Sequence, residues 1–118
     1  MRVLICGSRN YDDKETLNLT LDGLRSIYTI TDVIEGEARG ADTLARLWAE
    51  SHGLSVHPFP ADWKKHGKAA GYIRNRQMLD EGKPELIVAF SKDILTSSGT
   101  HNMICLGNKA RVPVFLYS

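Results

Sequence analysis

Short apolar runs alternate along this chain with longer stretches in which apolar residues return every three or four positions. The first run, Arg2-Val3-Leu4-Ile5-Cys6, stops at Gly7 and predicts a buried strand. A polar loop follows, and then Leu17, Leu21, Leu24 and Tyr28 fall on one stripe of an amphipathic helix. Asp12 or Asp13 is its expected N-cap, and Glu15 adds negative charge to the helix start. Residues 31–35 predict a second strand, and Ala41, Leu44, Ala45 and Trp48 the buried face of a second helix that stops near Gly53. Residues 54–59 alternate apolar and polar side chains, which suits an edge strand able to carry Pro58. Residues 60–71 predict a long loop rich in lysine and glycine, and 72–81 a short helix stopped by Gly82 and Pro84. Residues 85–90 form the strongest strand pattern. After the polar stretch 91–98, Gly99-Thr100 opens a helix expected to turn Met103, Leu106 and Ala110 inward. Residues 112–116 close the chain as a strand that Pro113 keeps short or at an edge.

Five strands alternating with four helices, without linker or repeat, predict one α/β domain over residues 1–118. The expected architecture is Rossmann-like and three-layered: a parallel sheet of about five strands with helices on both faces. Right-handed crossovers and the half-Rossmann arrangement suggest the order 3-2-1-4-5. Strands 1 and 4 are then neighbours, and the topological switch between them is where open α/β sheets bind ligands, beyond the carboxyl ends of the strands.

Composition narrows the function classes. Apolar residues make up 42% and charged residues 25%, and the formal net charge is +1, so the whole molecule is no electrostatic magnet for nucleic acid or anionic membrane. Charge is nevertheless clustered. Arg9, Arg39, Lys64, Lys65, Lys68, Arg74, Arg76 and Lys92, eight of the 15 basic residues, fall in or beside segments assigned to the carboxyl edge of the sheet, which favours an anionic ligand. Cys6 and Cys105 belong to no paired motif and are expected as reduced, buried thiols. His52, His57 and His66 lack metal-ligand spacing, so neither a metal nor a cofactor is expected. With no run long enough to span a bilayer and no signal-peptide pattern, a cytoplasmic, membrane-free protein is expected. A homo-oligomer is compatible with the sequence.

Three turns at the expected ligand edge share one chemistry. Gly7-Ser8-Arg9, the stretch from Gly36 to Asp42, and Ser97-Ser98-Gly99-Thr100 each place small residues at a helix start. Unpaired N–H groups and the positive end of the dipole there suit a phosphate or carboxylate. The first two turns add Arg9 and Arg39 as two-pronged donors, and the third adds hydroxyls. Gly-x-Gly-x-x-Gly is absent after the first strand. P-loop spacing around Gly67-Lys68 would need a glycine at Asp62 and a hydroxyl residue at Ala69. A dinucleotide oxidoreductase and a P-loop nucleotidase are therefore disfavoured.

These residues also carry a resemblance. Gly7-Ser8-Arg9, Glu35-Gly36-Glu37-Ala38-Arg39-Gly40-Ala41-Asp42, Phe59-Pro60-Ala61-Asp62-Trp63, Gly67-Lys68-Ala69-Ala70-Gly71 and Arg74-Asn75-Arg76-Gln77-Met78 together resemble the YspA-type (YpsA-related) branch of the SLOG superfamily. The resemblance covers nearly the whole chain. It implies a Rossmann-like fold and the binding of nucleotides or nucleotide-derived signals. More distantly, Arg74 and Met78 are similar to a motif of the LOG phosphoribohydrolases, which remove ribose 5-phosphate from nucleoside monophosphates. Their Pro-Gly-Gly-x-Gly-Thr-x-x-Glu signature survives here as Gly99-Thr100, with Met103 in place of the catalytic glutamate. The turns at Gly7 and Ala38 also resemble the DNA-processing protein A family, which binds single-stranded DNA.

The expected ligand is a nucleotide or a nucleotide-derived phosphorylated molecule, sensed or processed at the carboxyl edge. Its expected contacts are main-chain N–H groups at Gly7, Gly36, Gly40 and Gly99, with Ser8, Arg9, Arg39, Asp42, Asp62, Lys68, Arg74, Asn75, Ser98 and Thr100 around it. Trp63 is either a packing anchor or a face on which a base stacks. Asp42 either answers its own helix dipole or meets the ligand. His101 reads as a surface histidine or as a neutral acid/base group. One alternative is a LOG-like hydrolase of an N-glycosidic or phosphate bond, with Arg74 stabilising charge and Asp42, Asp62 or Glu37 standing in for the missing glutamate. A second is a single-strand DNA binder using Trp63 and the basic segment around Lys64, Lys65 and Lys68. Nucleic acid is the disfavoured partner because the net charge is only +1.

Overall fold

Five strands, β1 (Arg2–Gly7), β2 (Asp32–Glu35), β3 (Ser55–Pro58), β4 (Leu86–Phe90) and β5 (Val114–Tyr117), pair in parallel in the order β3-β2-β1-β4-β5. The structure, a computed structural model, describes residues 1–118. Helices α1 (Lys14–Ile27) and α2 (Ala41–Ser51) cover one face of the sheet. Helices α4 (Ala70–Gly82) and α5 (Ser98–Lys109) cover the other, and a one-turn helix, α3 (Trp63–His66), precedes α4.

Strand alternation divides the core in two. Val3 and Ile5 of β1, Val33 of β2, and Leu86, Val88 and Phe90 of β4 pack against Leu17, Leu21 and Leu24 of α1 and Ala45 and Trp48 of α2. Leu4, Cys6, Ile34, Ile87 and Ala89 point the other way, against Met78 of α4 and Met103 of α5. A strand buried on both faces has no polar side to show, so its sequence reads as a continuous apolar run. That is why β1 and β4, at the centre, gave the clearest strand patterns. The edge strands β3 and β5 carry Pro58 and lie next to Pro113 respectively, where a missing N–H costs no ladder bond in the interior of the sheet.

Local signals account for most boundaries. Asp13, rather than Asp12, caps α1: its carboxylate accepts from the Thr16 N–H at 3.1 Å and the Thr16 hydroxyl at 2.8 Å. Gly53 takes a φ of +67° just beyond α2. Three expectations need correction. The long loop expected over residues 60–71 contains α3, then a 3-10 turn (Gly67–Ala69), and α4 begins at Ala70. Asp62 starts α3 by accepting from the Lys65 N–H at 3.1 Å, but the helix buries no residue, so it leaves no apolar periodicity to read. Ala110 does not face inward; it is the exposed C-cap of α5. Gly107 takes the buried position instead, because a Cβ there would lie 2.5 Å from Ile87 Cδ1. Cys105 is only half-buried, unlike Cys6.

Two glycines give a direct test of this packing. A Cβ on Gly7 would come 2.2 Å from the Phe90 carbonyl oxygen and 2.5 Å from Ala41 Cβ, so β1, β4 and α2 all press on this position. Gly23, in α1, has nothing within 4 Å of its would-be Cβ. Chemical denaturation should show Gly7→Ala destabilised by about 1–3 kcal/mol through overpacking. Gly23→Ala should be stabilised by roughly 0.5–1 kcal/mol, the helix cost of an interior glycine.

Candidate functional site

Because β1 and β4 are neighbours whose following loops diverge, a cavity of about 680 Å³ opens at their carboxyl ends. Cys6 and Gly7 of β1 and Met78 of α4 form part of its lining, and Ser8, Arg9 and Asn10 follow on from β1. The loop and helix after β2 contribute Ala38, Arg39 and Asp42. The α3–α4 segment contributes Trp63, Lys68, Gly71, Tyr72, Arg74 and Asn75, and the start of α5 contributes Ser97, Ser98, Gly99 and Thr100. A smaller space of about 310 Å³ lies alongside and shares Arg9, Arg39, Trp63 and Arg74 with it, adding Gly36 and Glu37.

The loop after β2 is held from within. Asp42, buried in the first turn of α2, accepts at Oδ2 from the Gly36 N–H and the Ala38 N–H, both at 3.2 Å. Glu35, fully buried at the end of β2, accepts at Oε1 from the intervening Glu37 N–H at 2.7 Å, while its Oε2 has no partner. The Gly36 carbonyl accepts in turn from Arg74 Nη1. The amide expected to hold a ligand at Gly36 is therefore already used by the protein's own carboxylate. Gly40 has a steric duty as well. At φ +74° its would-be Cβ lies 2.3 Å from the Ser8 carbonyl oxygen, so only glycine lets the loops after β1 and β2 close on each other.

Burial without full solvation raises both acids. Desolvation lifts Asp42 to about 6, opposed by its amide bonds and by Arg74. Desolvation lifts Glu35 to about 7, reinforced by the neighbouring Asp42 and Glu37 charges. Arg74 is pushed down from its ordinary value by burial, against the attraction of Asp42. Burial pushes the Cys6 thiol far up, so it remains protonated and is no nucleophile.

Arg9, Arg39 and Lys68 are exposed cations on the lining, and Arg74 is a partly buried one. The Arg9 guanidinium carbon lies 5.1 Å from the centre of the Trp63 ring, a cation–π contact on a side chain that stays 48% exposed. At the start of α5, Ser97 makes no capping bond to the helix amides; its hydroxyl donates to Thr100 Oγ1 at 2.7 Å. The first N–H groups of this 12-residue helix therefore lack a side-chain cap, and the residues that carry them, Ser98, Gly99 and Thr100, line the cavity. Asn75 is a bracket between helices: Nδ2 donates to the Gly99 carbonyl at 3.0 Å and to Asn102 Oδ1 at 3.1 Å, and Oδ1 accepts from Arg74 Nε.

Of the residues singled out in the sequence, Gly7, Ser8, Arg9, Arg39, Asp42, Trp63, Lys68, Arg74, Asn75, Ser98, Gly99 and Thr100 line the main cavity. Gly36 lines the smaller space, Gly40 lines neither, and Asp62 is the cap of α3. Lys64, Lys65 and Lys92 line neither space, Arg76 pairs with Asp80 at 3.0 Å, and His101 is exposed beside Cys105. Ser97, read as part of the third turn, lines the cavity too, and the structure adds Asn10, Tyr72 and Thr96 to the lining and Glu35 beneath it. Only Glu35 had a readable signal, a charge at the end of an apolar run.

A family model described as the YspA, cpYpsA-related SLOG family matches residues 1–66, which include the turns at Gly7 and Gly36 and extend through α3. Gene 61 protein of Mycobacterium phage D29 is 40% identical to this chain over 120 residues, covering 96% of this chain and 93% of the phage protein. No helix of the chain is long and apolar enough to cross a membrane.

The two raised acids give stability a defined pH dependence. Their folded values, about 6 for Asp42 and about 7 for Glu35, exceed the ordinary 3.8 and 4.5, so the folded protein binds more protons than the unfolded chain in that window. Their contribution is present in full below the ordinary values and is lost as pH rises through the folded ones. Asp13 and Asp32, whose values are lowered, act with the opposite sign but at more acid pH. Denaturation midpoints should therefore fall between about pH 5 and pH 8, and the slope should flatten in Asp42→Asn and in Glu35→Gln.

Proposed function

Because this chain belongs to the YspA, cpYpsA-related SLOG family, we propose that its cavity binds a nucleotide or a nucleotide-derived phosphorylated molecule, as a sensor or processing domain. Family membership itself suggests a nucleotide-related ligand in general. The observation that carries the finer reading is the chemistry of the lining. Arg9, Arg39, Lys68 and Arg74 converge with the uncapped start of α5 around one exposed indole. In this reading the α5 amides and the Thr100 hydroxyl take phosphate oxygens, the arginines and Lys68 neutralise them, and Trp63 offers a face to the base. Asn75 acts indirectly, by fixing the start of α5 against α4.

One observation favours hydrolysis as a second reading. Met103 is fully buried in the core, so nothing at that position replaces a catalytic carboxylate. Asp42, however, lines the cavity and has a value of about 6, suited to exchanging a proton near neutral pH. Of the other candidates, Asp62 is committed as a helix cap, and Glu37 lines only the smaller space. In this reading Asp42 activates water and Arg74 stabilises developing charge during cleavage of an N-glycosidic bond. The single-strand reading finds only Trp63 and Lys68 of its residues on the cavity, since Lys64 and Lys65 line no part of it.

A thermal-shift panel of nucleoside mono- and diphosphates, cyclic nucleotides and ADP-ribose tests binding. A ligand at about a hundred times its dissociation constant should add about 2.7 kcal/mol of stability. Lys68→Ala and Arg9→Ala, at exposed positions, should each weaken that ligand by roughly tenfold or more while leaving the unliganded protein nearly as stable. No shift from any compound at millimolar concentration would defeat the binding reading. For hydrolysis, release of free base from nucleoside monophosphates should be seen with wild type and be lost in Asp42→Asn. Absence of base, or release undiminished in that variant, would rule it out.

A further inference from the structure

Most of what the cavity offers a ligand is donors and cations; Asp42 offers an acceptor. Both hydrogen bonds that its carboxylate accepts fall on Oδ2, from the Gly36 and Ala38 amides. Those bonds anchor Oδ2 against the loop after β2. Oδ1 takes no hydrogen bond from the protein, and Asp42, although 95% buried by area, belongs to the cavity lining. A phosphate cannot sit against Oδ1, because like charges would meet in a poorly solvated corner. Carbon cannot satisfy it either. The ligand atom that reaches Oδ1 has to be a hydrogen-bond donor.

The layout of the neighbours says which part of a nucleotide that is. Arg74 stands between Trp63 and Asp42. A Cβ on Gly71 would lie 3.6 Å from the edge of the Trp63 ring and 3.9 Å from Arg74 Nη2, while a Cβ on Gly36 would lie 2.8 Å from Arg74 Cζ and 2.9 Å from Asp42 Oδ2. The Arg74 guanidinium therefore lies near both the indole edge and the carboxylate, while its own hydrogen bonds go to the Gly36 carbonyl and to Asn75 Oδ1. A base resting on Trp63 brings the next unit of the molecule, its sugar, alongside Arg74 and toward Asp42. The phosphate remains for the start of α5 and the exposed cations. Resting on the nucleotide reading above, we propose that Asp42 Oδ1 accepts a hydrogen bond from a ribose hydroxyl, so that the site selects ribonucleotides over their deoxy counterparts.

The test is calorimetric titration at about pH 7.5, above the raised value of Asp42, so that its carboxylate is ionised. Adenosine and guanosine 5′-monophosphates are compared with their 2′-deoxy and 3′-deoxy forms, on wild type and on Asp42→Asn. Removing one of the two hydroxyls should weaken wild-type binding by about tenfold or more, as expected for a hydrogen bond to a charged group. In Asp42→Asn the ribonucleotide should fall to the deoxy level, and the difference between the two should shrink to less than about threefold. If ribo and both deoxy forms bind wild type equally, the inference fails while the nucleotide reading stands. If no monophosphate binds wild type at millimolar concentration, this inference fails, and the nucleotide reading falls with it only when the diphosphates, cyclic nucleotides and ADP-ribose of the thermal-shift panel fail to bind as well. The wild-type comparison decides the matter even if Asp42→Asn loosens the loop.

Discussion

Three consecutive amides, those of Gly36, Glu37 and Ala38, are held by two buried carboxyl groups, and the carboxyl edge of the sheet is arranged around that grip. Asp42 reaches back from α2 to the first and third, and Glu35 reaches forward from β2 to the second. The loop is thereby closed into a shape that needs a positive φ at Glu37 and at Gly40. Its outer side receives Arg74 at the Gly36 carbonyl, which draws α4 in. Its far end presses on the loop after β1 through Gly40. Two acids in poorly solvated positions are costly, and their raised values record that cost.

The consequence for function is a division of labour between turns that look alike in sequence. A glycine-rich turn between strand and helix is an anion-binding shape, and the one after β2 does bind an anion: the protein's own Asp42 carboxylate. An added phosphate would find those amides taken. At α5 the opposite holds. Ser97 binds Thr100 rather than the helix amides, leaving the N-terminus uncapped over the cavity, with Asn75 holding the helix in place from beneath. The same fold thus supplies one turn that is internally satisfied and one that is open, with Arg9, Arg39 and Lys68 on the lining of the cavity that the open one shares.

How much of this could be read beforehand depended on whether a residue's role was periodic. Strand order, the two core faces and the edge at which the cavity opens all rest on apolar periodicity, which Leu17, Leu21, Leu24 and the β1 and β4 runs display openly. The sheet order 3-2-1-4-5 then brought the loops together, and the cavity lies where they meet. Hydrogen-bond partners have no period. Nothing in the order of residues tells whether Gly36 N–H is free or held by Asp42, or whether Asp62 meets a ligand or caps a helix. Helix α3 went unseen because it buries nothing, and Gly107 replaced Ala110 in the core because Ile87 leaves no room for a side chain.

The central claim, that the open turn at α5 and the cations beside it form a nucleotide site, is tested most directly by amide-resolved NMR during titration with a nucleoside monophosphate. The account predicts the largest shifts at Ser98, Gly99 and Thr100 and at the Trp63 indole. The Trp48 indole, hydrogen-bonded to Asp22 at 2.9 Å beside the core, should stay unmoved. Shifts confined to the opposite edge of the sheet, around Asp22, Tyr28 and His52, or saturating shifts that leave the α5 amides in place, would contradict it.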